Sequence, residues 1–252
     1  MASTAPAPAW HHATMPDLQV YAPQVAGILC VLAAFDLLVA RHTKARYFAI
    51  HVLANSIVTI SVLPGCFKLL SNPAVGLRLD EFSSMGISAN LCIHVYHMAA
   101  FRDLTWLDWL HHITMTIILM PITFAHDAWF GLTCDLQNFF SCGLPGGADY
   151  AMLLAVKQGW MEPLTEKRIN SQINVWLRAP GIVFTCGLGF TQAFLKDPHL
   201  HFLSPAFFFS GLTLGLFIWN AQYFSERVVG NYYVRQYQAD EKRKPARNGK
   251  NN

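Results

Sequence analysis

The chain has 252 residues, of which 53% are hydrophobic and only 13% are charged, and its mean hydropathy is +0.30. This composition excludes an ordinary soluble domain, because it is too apolar and too sparsely charged. The formal net charge of +3 comes mainly from the C-terminal tail and does not by itself indicate a nucleic-acid partner.

Long apolar runs predict seven transmembrane helices. Each run is close to the roughly 20 residues that a helix needs to cross a bilayer. The runs cover residues 21–40, 47–69, 84–101, 107–125, a segment within 128–156, 173–194 and 202–223. We therefore expect an all-α polytopic membrane bundle over residues 21–226, an N-terminal tail of residues 1–20 and a basic C-terminal tail of residues 227–252.

The distribution of Lys and Arg predicts the orientation of this bundle. With the N-terminus outside the cytosol, the cytosolic segments would hold 14 of the 18 basic residues. Basic residues are retained on the cytosolic side of membrane helices. We therefore expect a non-cytosolic N-terminus and a cytosolic, disordered C-terminal tail that contacts anionic lipid headgroups.

Four histidines and an aspartate lie at the ends of two consecutive predicted spans. With a rise of about 1.5 Å per residue, His94 and His97 fall in the final turns of span three. Asp108, His111 and His112 fall in the first two turns of span four. Ionisable side chains are costly in hydrocarbon and usually functional. The stretch therefore predicts an intramembrane polar pocket that opens toward the cytosol.

Polar residues of other spans are predicted to lie at a similar depth or somewhat deeper. They are His51 and Asn55 in span two, Asn90 in span three, Asp135, Asn138 and Asp149 in span five, and Arg178 in span six. Pro145, among the glycines of residues 143–147, is expected to kink or break the fifth helix. Membranes tolerate a broken backbone only where protein or a wet cavity satisfies it, so the break favours the same pocket.

Several of these residues also have ordinary explanations. His51 alone is equally well explained by an interhelical hydrogen bond. Asp108 is placed to stabilise the positive end of a helix dipole, but its i+3 and i+4 spacing also lets it orient His111 or His112. Arg178 is placed to pair with a buried acid, to meet a substrate phosphate or to extend to the interface.

A metal site is not expected, although His94-x-x-His97 and His111-His112 have plausible ligand spacings. The HxxHH and HxxxH boxes of membrane di-iron desaturases are absent from the sequence. The six cysteines also lack the short paired spacing of zinc sites. We expect no permanently bound cofactor.

Four segments, taken in their order along the chain, resemble those of a known family. They are residues 46–55 (RYFAIHVLAN), 96–101 (YHMAAF), 108–114 (DWLHHIT) and 149–157 (DYAMLLAVK). Together they resemble the TLC-domain family of membrane proteins, which includes the ceramide synthases, over about residues 40–225. The chain lacks a soluble homeobox-like insertion and a glycosylation acceptor, so it resembles a smaller family member more than a ceramide synthase proper.

The resemblance implies a seven-helix endoplasmic-reticulum protein whose paired histidines, His111 and His112, face a pocket for a long acyl chain. Ceramide synthases use such a site to move an acyl group from coenzyme A to a sphingoid amine. We therefore expect transfer from acyl-CoA to a lipid amine or hydroxyl, with either histidine as base or nucleophile. Asp108 would orient the pair, Asp149 with His97 would complete the polar site, and acyl-CoA would arrive from the cytosol.

The alternative is a non-catalytic lipid-binding protein that regulates membrane lipid composition and uses the polar cluster to organise a headgroup. A transporter is less well supported, since there is no repeated pair of broken spans. The expected partners are membrane lipids and acyl-CoA, with no nucleic acid and with a homodimer left open. The sequence does not select the acceptor lipid or the acyl length.

Overall fold

The computed structural model describes residues 15–119, 127–196, 200–201 and 204–248, and every regular element within these ranges is helical. The α-helices are α1 (Met15–Leu38), α2 (Arg46–Ser71), α3 (Pro73–Gly76), α4 (Ser84–Ala100), α5 (Trp106–Ile113), α6 (Asp127–Asn138), α7 (Leu144–Gln158), α8 (Pro163–Ile173), α9 (Ala179–Lys196) and α10 (Pro205–Asn248). A 3-10 turn, Ala40–His42, follows α1. Three π-helical segments extend α5 (Thr114–Leu119), join α6 to α7 (Phe139–Gly143) and join α8 to α9 (Asn174–Arg178). The predicted all-α class is confirmed.

Four helical runs among the described residues are long and apolar enough to cross a membrane. They are Tyr21–His42, Arg46–Ser71, Gly131–Gln158 and Pro163–Lys196, and they coincide with predicted spans one, two, five and six. These runs make the chain an integral membrane protein.

The other three predicted spans are not among these four runs. The third corresponds to α4, whose 17 residues are at the short end of what a bilayer requires. The fourth, residues 107–125, lies partly outside the described residues, and the seventh coincides with the first half of α10. The count of seven therefore stays a prediction.

The expected break in the fifth span is a widened turn of a continuous helix. The helical run passes through the π-helical segment Phe139–Gly143, where Gly143 has a non-helical ψ of −114°. Pro145 follows in the first turn of α7, a position where its missing N–H costs little. The π-helical segment therefore accommodates the proline and keeps α6 and α7 in one run.

Helix α2 is the centre of the packing and contacts α1, α4, α6 and α7. Its buried side chains, among them Ile50 and Val58, join Leu32 and Leu136 in the main apolar core. Gly65 allows the closest approach, because a Cβ there would collide with the Asp135 carboxylate of α6. In lipid such close packing is the principal attraction between helices.

The predicted disorder of the C-terminal tail is wrong for the residues that the structure describes. Helix α10 passes through the expected domain boundary at residue 226 and continues to Asn248. The segment is rich in Arg, Lys and Gln, which are good helix formers. The helix also packs against α8 and α9.

A buried ion pair joins α1, α2 and α4 where α2 begins and α4 ends, an end that we call the histidine end. The Asp36 side chain is 3% exposed and pairs with Arg46, whose Nε lies 2.6 Å from Asp36 Oδ1. The Tyr96 hydroxyl donates to Asp36 Oδ2 at 2.7 Å, and the Arg46 guanidinium lies over the Phe101 ring. We call these four residues the Asp36 cluster. No local sequence pattern indicates this role for Asp36.

Candidate functional site

A cavity of about 70 Å³ lies between the helices at the histidine end, and we call it the histidine cavity. Eight of the twelve predicted site residues line it, namely His51, Asn55, Asn90, His94, His97, His111, His112 and Arg178. They come from α2, α4, α5 and the π-helical segment before α9. The cavity has space for several water molecules but not for a long acyl chain.

The five histidine rings of the cavity form one continuous cluster. His51 and His97 have ring centroids 4.0 Å apart, and His97 lies 5.3 Å from His112. His94 lies 5.1 Å from His112 and 5.2 Å from His111. The i, i+3 spacing of His94 and His97 puts both on one face of α4, toward α2 and α5. Three helices thus bring together side chains up to 61 positions apart, from His51 to His112.

Backbone carbonyls determine which nitrogen carries the proton in two of these rings. His94 Nδ1 lies 2.6 Å from the Asn90 carbonyl oxygen, and His51 Nδ1 lies 3.0 Å from that of Tyr47. A carbonyl oxygen only accepts, so both Nδ1 atoms carry hydrogen. In the neutral ring, Nε2 of each histidine is then an acceptor.

The protonation of His94 also determines which nitrogen of His111 carries hydrogen. The two Nε2 atoms lie 3.3 Å apart, so His111 donates when His94 is neutral. The remaining ring nitrogen of neutral His111, Nδ1, then has a free lone pair. The chain from the Asn90 carbonyl through His94 to His111 therefore selects Nδ1 as the basic nitrogen of neutral His111.

His97 and His112 are buried without hydrogen-bond partners. Their exposed fractions are 0% and 3%, and neither ring nitrogen of either residue has a partner among the described residues. An unpaired buried polar group costs about 1–3 kcal/mol, and in native structures it often marks a functional site or an unseen water or ligand. These four nitrogens are available to a polar group in the cavity.

Tyr47 and Tyr150 also line the cavity, and sequence reasoning did not include them in the site. The Tyr47 ring stacks on His97 with centroids 4.4 Å apart, and the Tyr150 ring stacks on His51 at 3.8 Å. The signal available for Tyr47 was its i−4 spacing from His51, which places both on one face of α2. The two tyrosines and the two histidines form a compact cluster of four rings, in which Tyr47 also lies 4.4 Å from His51 and 6.2 Å from Tyr150.

Asp108 belongs to the helix start and not to the cavity lining. Its carboxylate accepts hydrogen bonds from the Thr105 backbone N–H at 2.8 Å and hydroxyl at 2.7 Å. The Thr105 hydroxyl is in turn paired with the Asp108 N–H, which completes a capping box for α5. The position expected for Asp108, next to a nitrogen of His111, is occupied by His94.

Asp149 likewise lies beside the cavity and does not line it. Its Oδ1 accepts a hydrogen bond from Asn170 Nδ2 at 2.6 Å. Asn170 also contacts the buried Glu166, which pairs with Lys167. Sequence reasoning missed this buried polar chain on α8, where Glu and Asn fall in a helix of low hydropathy and resemble an exposed face.

Asp135 and Asn138 occupy two different places along α6. Asp135 accepts a hydrogen bond from the Ser83 N–H at 2.8 Å, at the start of α4 and thus at the end opposite the histidines. Asn138 instead accepts from Nδ2 of Asn90 at 3.0 Å. The structure therefore places Asn138 behind a lining residue and Asp135 outside the site.

Arg178 contacts a backbone carbonyl at the widened turn. Its Nε and Nη2 donate to the Ser141 carbonyl oxygen at 3.0 and 2.6 Å. In an α-helix that oxygen would accept from residue 145, but Pro145 has no N–H. Arg178 thus supplies the donor that the proline lacks, and it also lines the cavity.

Within the described residues, no group of three or more His, Cys, Asp or Glu side chains is arranged to hold a metal ion. In comparisons with known proteins, no family model matches the chain, and no curated protein or solved structure matches it either. The fold and site define a class, an all-α membrane protein with a histidine-lined cavity. A function has to be argued from that cavity.

Proposed function

We propose that the chain is a small TLC-like protein of the endoplasmic-reticulum membrane that transfers a long acyl chain from acyl-CoA to a lipid amine or hydroxyl. The observation that supports this function best is the pair of buried, unpartnered histidines, His97 and His112, beside the hydrogen-bonded pair His94–His111. Polar atoms held without partners in a membrane domain are expected to meet a polar group of the substrate.

The proposed topology has seven spans, a lumenal N-terminus and a cytosolic C-terminus. Its support is the excess of basic residues in the segments that would face the cytosol. The 17 residues of α4 and the apolar first half of α10 would be two of the three additional spans. The histidine cavity would then lie toward the cytosol, from which acyl-CoA arrives.

His111 is the proposed base. Its Nδ1 takes the proton from the acceptor amine or hydroxyl as that group attacks the thioester carbonyl carbon. The carbon–sulfur bond then breaks, and the departing thiolate receives the proton from the imidazolium. An amide or ester and free coenzyme A leave, and His111 returns to its neutral state.

His97 and His112 have a separate proposed role in this reaction. Each neutral ring has one N–H, which can donate to the thioester oxygen as negative charge develops there. The cavity of about 70 Å³ accommodates the reacting polar groups, so the acyl chain itself would extend beyond it.

The test is an assay of the purified full chain with long-chain acyl-CoA and amine or lysolipid acceptors, with products measured by mass spectrometry. We expect His111→Ala and His112→Ala to lower turnover by a factor of about 100 or more. His42→Ala is the matched control, because His42 is exposed and does not line the cavity. Full turnover in folded His111→Ala and His112→Ala proteins would contradict this function.

A non-catalytic lipid-binding protein is the second candidate, and one observation favours it. The Asp108 carboxylate is hydrogen-bonded to Thr105 and not to His111 or His112, so it does not activate either histidine. This candidate predicts lipid that co-purifies with the protein without any turnover. Turnover of acyl-CoA to an acylated lipid by the purified protein would exclude it.

A further inference from the structure

A second cavity, of about 450 Å³, lies outside the histidine site, and we call it the α7–α8–α10 groove. It lies where α7 ends, where α8 begins and where the C-terminal part of α10 passes beside them. Leu153, Val156, Leu164 and Ala239 give it an apolar wall. Its volume is within the range of small-molecule sites.

The groove carries more positive than negative charge. Its basic residues are Lys157, Lys167, Arg235 and Lys242, and its acidic residues are Glu162 and Glu166. The lining charges thus come from all three helices and the turn that precedes α8. Cations from separate elements that converge on one cavity indicate an anionic ligand.

Both acids of the groove are already engaged. Glu162 accepts hydrogen bonds from the Thr165 N–H at 2.8 Å and hydroxyl at 2.9 Å, and these bonds lower the pKa of the Glu162 carboxyl. Glu166 is 1% exposed and pairs with Lys167 at 2.9 Å. Lys167 therefore neutralises Glu166, whereas Glu162 stays ionised and offsets one further charge, so the groove keeps a net charge of +2.

Three cations remain available in the groove. Lys157, Arg235 and Lys242 are exposed, and none of them forms an ion pair within the part of the chain that the structure describes. Lysine binds phosphate as a point charge, and arginine binds it through a planar pair of N–H donors.

The position of the groove indicates that its ligand lies at the membrane surface. Two candidate spans meet there, one ending at Gln158 and the next beginning at Pro163. Trp160, in the turn between them, is 79% exposed, as is typical of an interfacial tryptophan. We therefore expect the apolar wall and the cations at the depth where lipid headgroups meet acyl chains.

We propose that the α7–α8–α10 groove binds the phosphate group of an anionic phospholipid. Arg235, Lys157 and Lys242 contact the phosphate, and the first carbons of the lipid chains lie against Leu153 and Val156. A phosphate monoester fits best, because its nearly two negative charges match a group of three cations more closely than a diester does. This site is separate from the histidine cavity and does not depend on acyl transfer.

The test is a titration of the detergent-solubilised full chain with phosphatidic acid, followed by native mass spectrometry. We expect the double variant Arg235→Gln/Lys242→Gln to bind at least tenfold more weakly than the unchanged protein. The matched control is Arg41→Gln/Lys44→Gln, which removes two exposed cations after α1 and outside the groove. The control should bind as the unchanged protein does.

Two results would overturn the lipid site. One is equal weakening in both double variants, because the contribution would then be general surface charge. The other is tight binding of inorganic pyrophosphate, lost in the groove variant, with no binding of phosphatidic acid, because the ligand would then be soluble. Arg235→Lys/Lys242→Arg, which keeps both charges, should retain binding and shows that any loss does not come from misfolding.

Discussion

The Asp36 cluster and the histidine cavity lie at the same end of the bundle and share α2 and α4, but their polar atoms are satisfied to different degrees. Both oxygens of Asp36 have partners, from Arg46 and Tyr96. In the cavity, by contrast, all four ring nitrogens of His97 and His112 lack a partner among the described residues.

The difference separates two uses of polarity inside a membrane protein. A fully satisfied cluster holds helices in register, and removal of one member leaves the others buried and unpaired. A cluster with unpaired atoms loses stability as it stands and recovers it when a ligand or water supplies the missing bonds. The first kind should therefore be sensitive to mutation in stability, and the second in ligand binding and turnover.

The largest effect is expected at Asp36. Asp36→Asn keeps the side-chain shape but leaves Arg46 without its counter-ion, so we expect the free energy of unfolding to fall by about 2–3 kcal/mol. The loss is below that of a fully buried pair, because the Arg46 side chain is 36% exposed. Unfolding in detergent, followed by circular dichroism, measures the change.

Asp80→Asn is the control for this prediction. Asp80 pairs with Lys196 at 2.6 Å, but its side chain is 71% exposed. Exposed pairs contribute about 0–1 kcal/mol, so the control should change stability little. Equal effects of the two variants would contradict a structural role for the Asp36 cluster.

The next effect compares two histidines of the cavity. His94→Phe removes the hydrogen bonds to the Asn90 carbonyl and to His111, so we expect a loss of about 1–2 kcal/mol in stability. His112→Phe removes no hydrogen bond and keeps a ring of similar size, so the change should be below about 1 kcal/mol. Thermal unfolding of the two variants side by side measures the difference.

Ligand binding sharpens the same comparison. We expect His112→Phe to lose lipid binding or turnover although it stays folded, because a phenyl ring offers no polar atom to a substrate. A large stability loss in His112→Phe, equal to that of His94→Phe, would mean that His112 has a structural partner. Its role would then be structural, like that of the residues in the Asp36 cluster.

The histidine cluster could be predicted from the sequence because the position of each histidine along its own helix follows from local sequence. His94 with His97, and His111 with His112, lie within one turn of each other at adjoining helix ends. His51 joined them because the predicted orientation put the start of α2 at the same end. Depth and helix face were therefore enough to predict the histidines of the cavity lining.

Partner choice could not be predicted in this way. Asp36 and Tyr96 are 60 positions apart, and no local pattern indicates their hydrogen bond. Asp135 was placed near the site because the bounds of the fifth span were uncertain. It lies about 21 Å along the helical run from Asp149, a distance that applies only because the run continues through Pro145.

The smallest effect is expected at Asp108, which caps α5 and was also predicted to orient His111 or His112. Its capping partner Thr105 allows the two roles to be tested separately. Asp108→Ala and Thr105→Ala each remove part of the same capping box, so both should lower stability by about 0.5–1 kcal/mol. If capping is the only role of Asp108, the two variants also lower turnover or lipid binding equally. A much larger loss of turnover in Asp108→Ala, at the same stability, would show that the carboxylate acts on His111 or His112. The function of the histidine cavity would then depend on a carboxylate that is already hydrogen-bonded within the capping box.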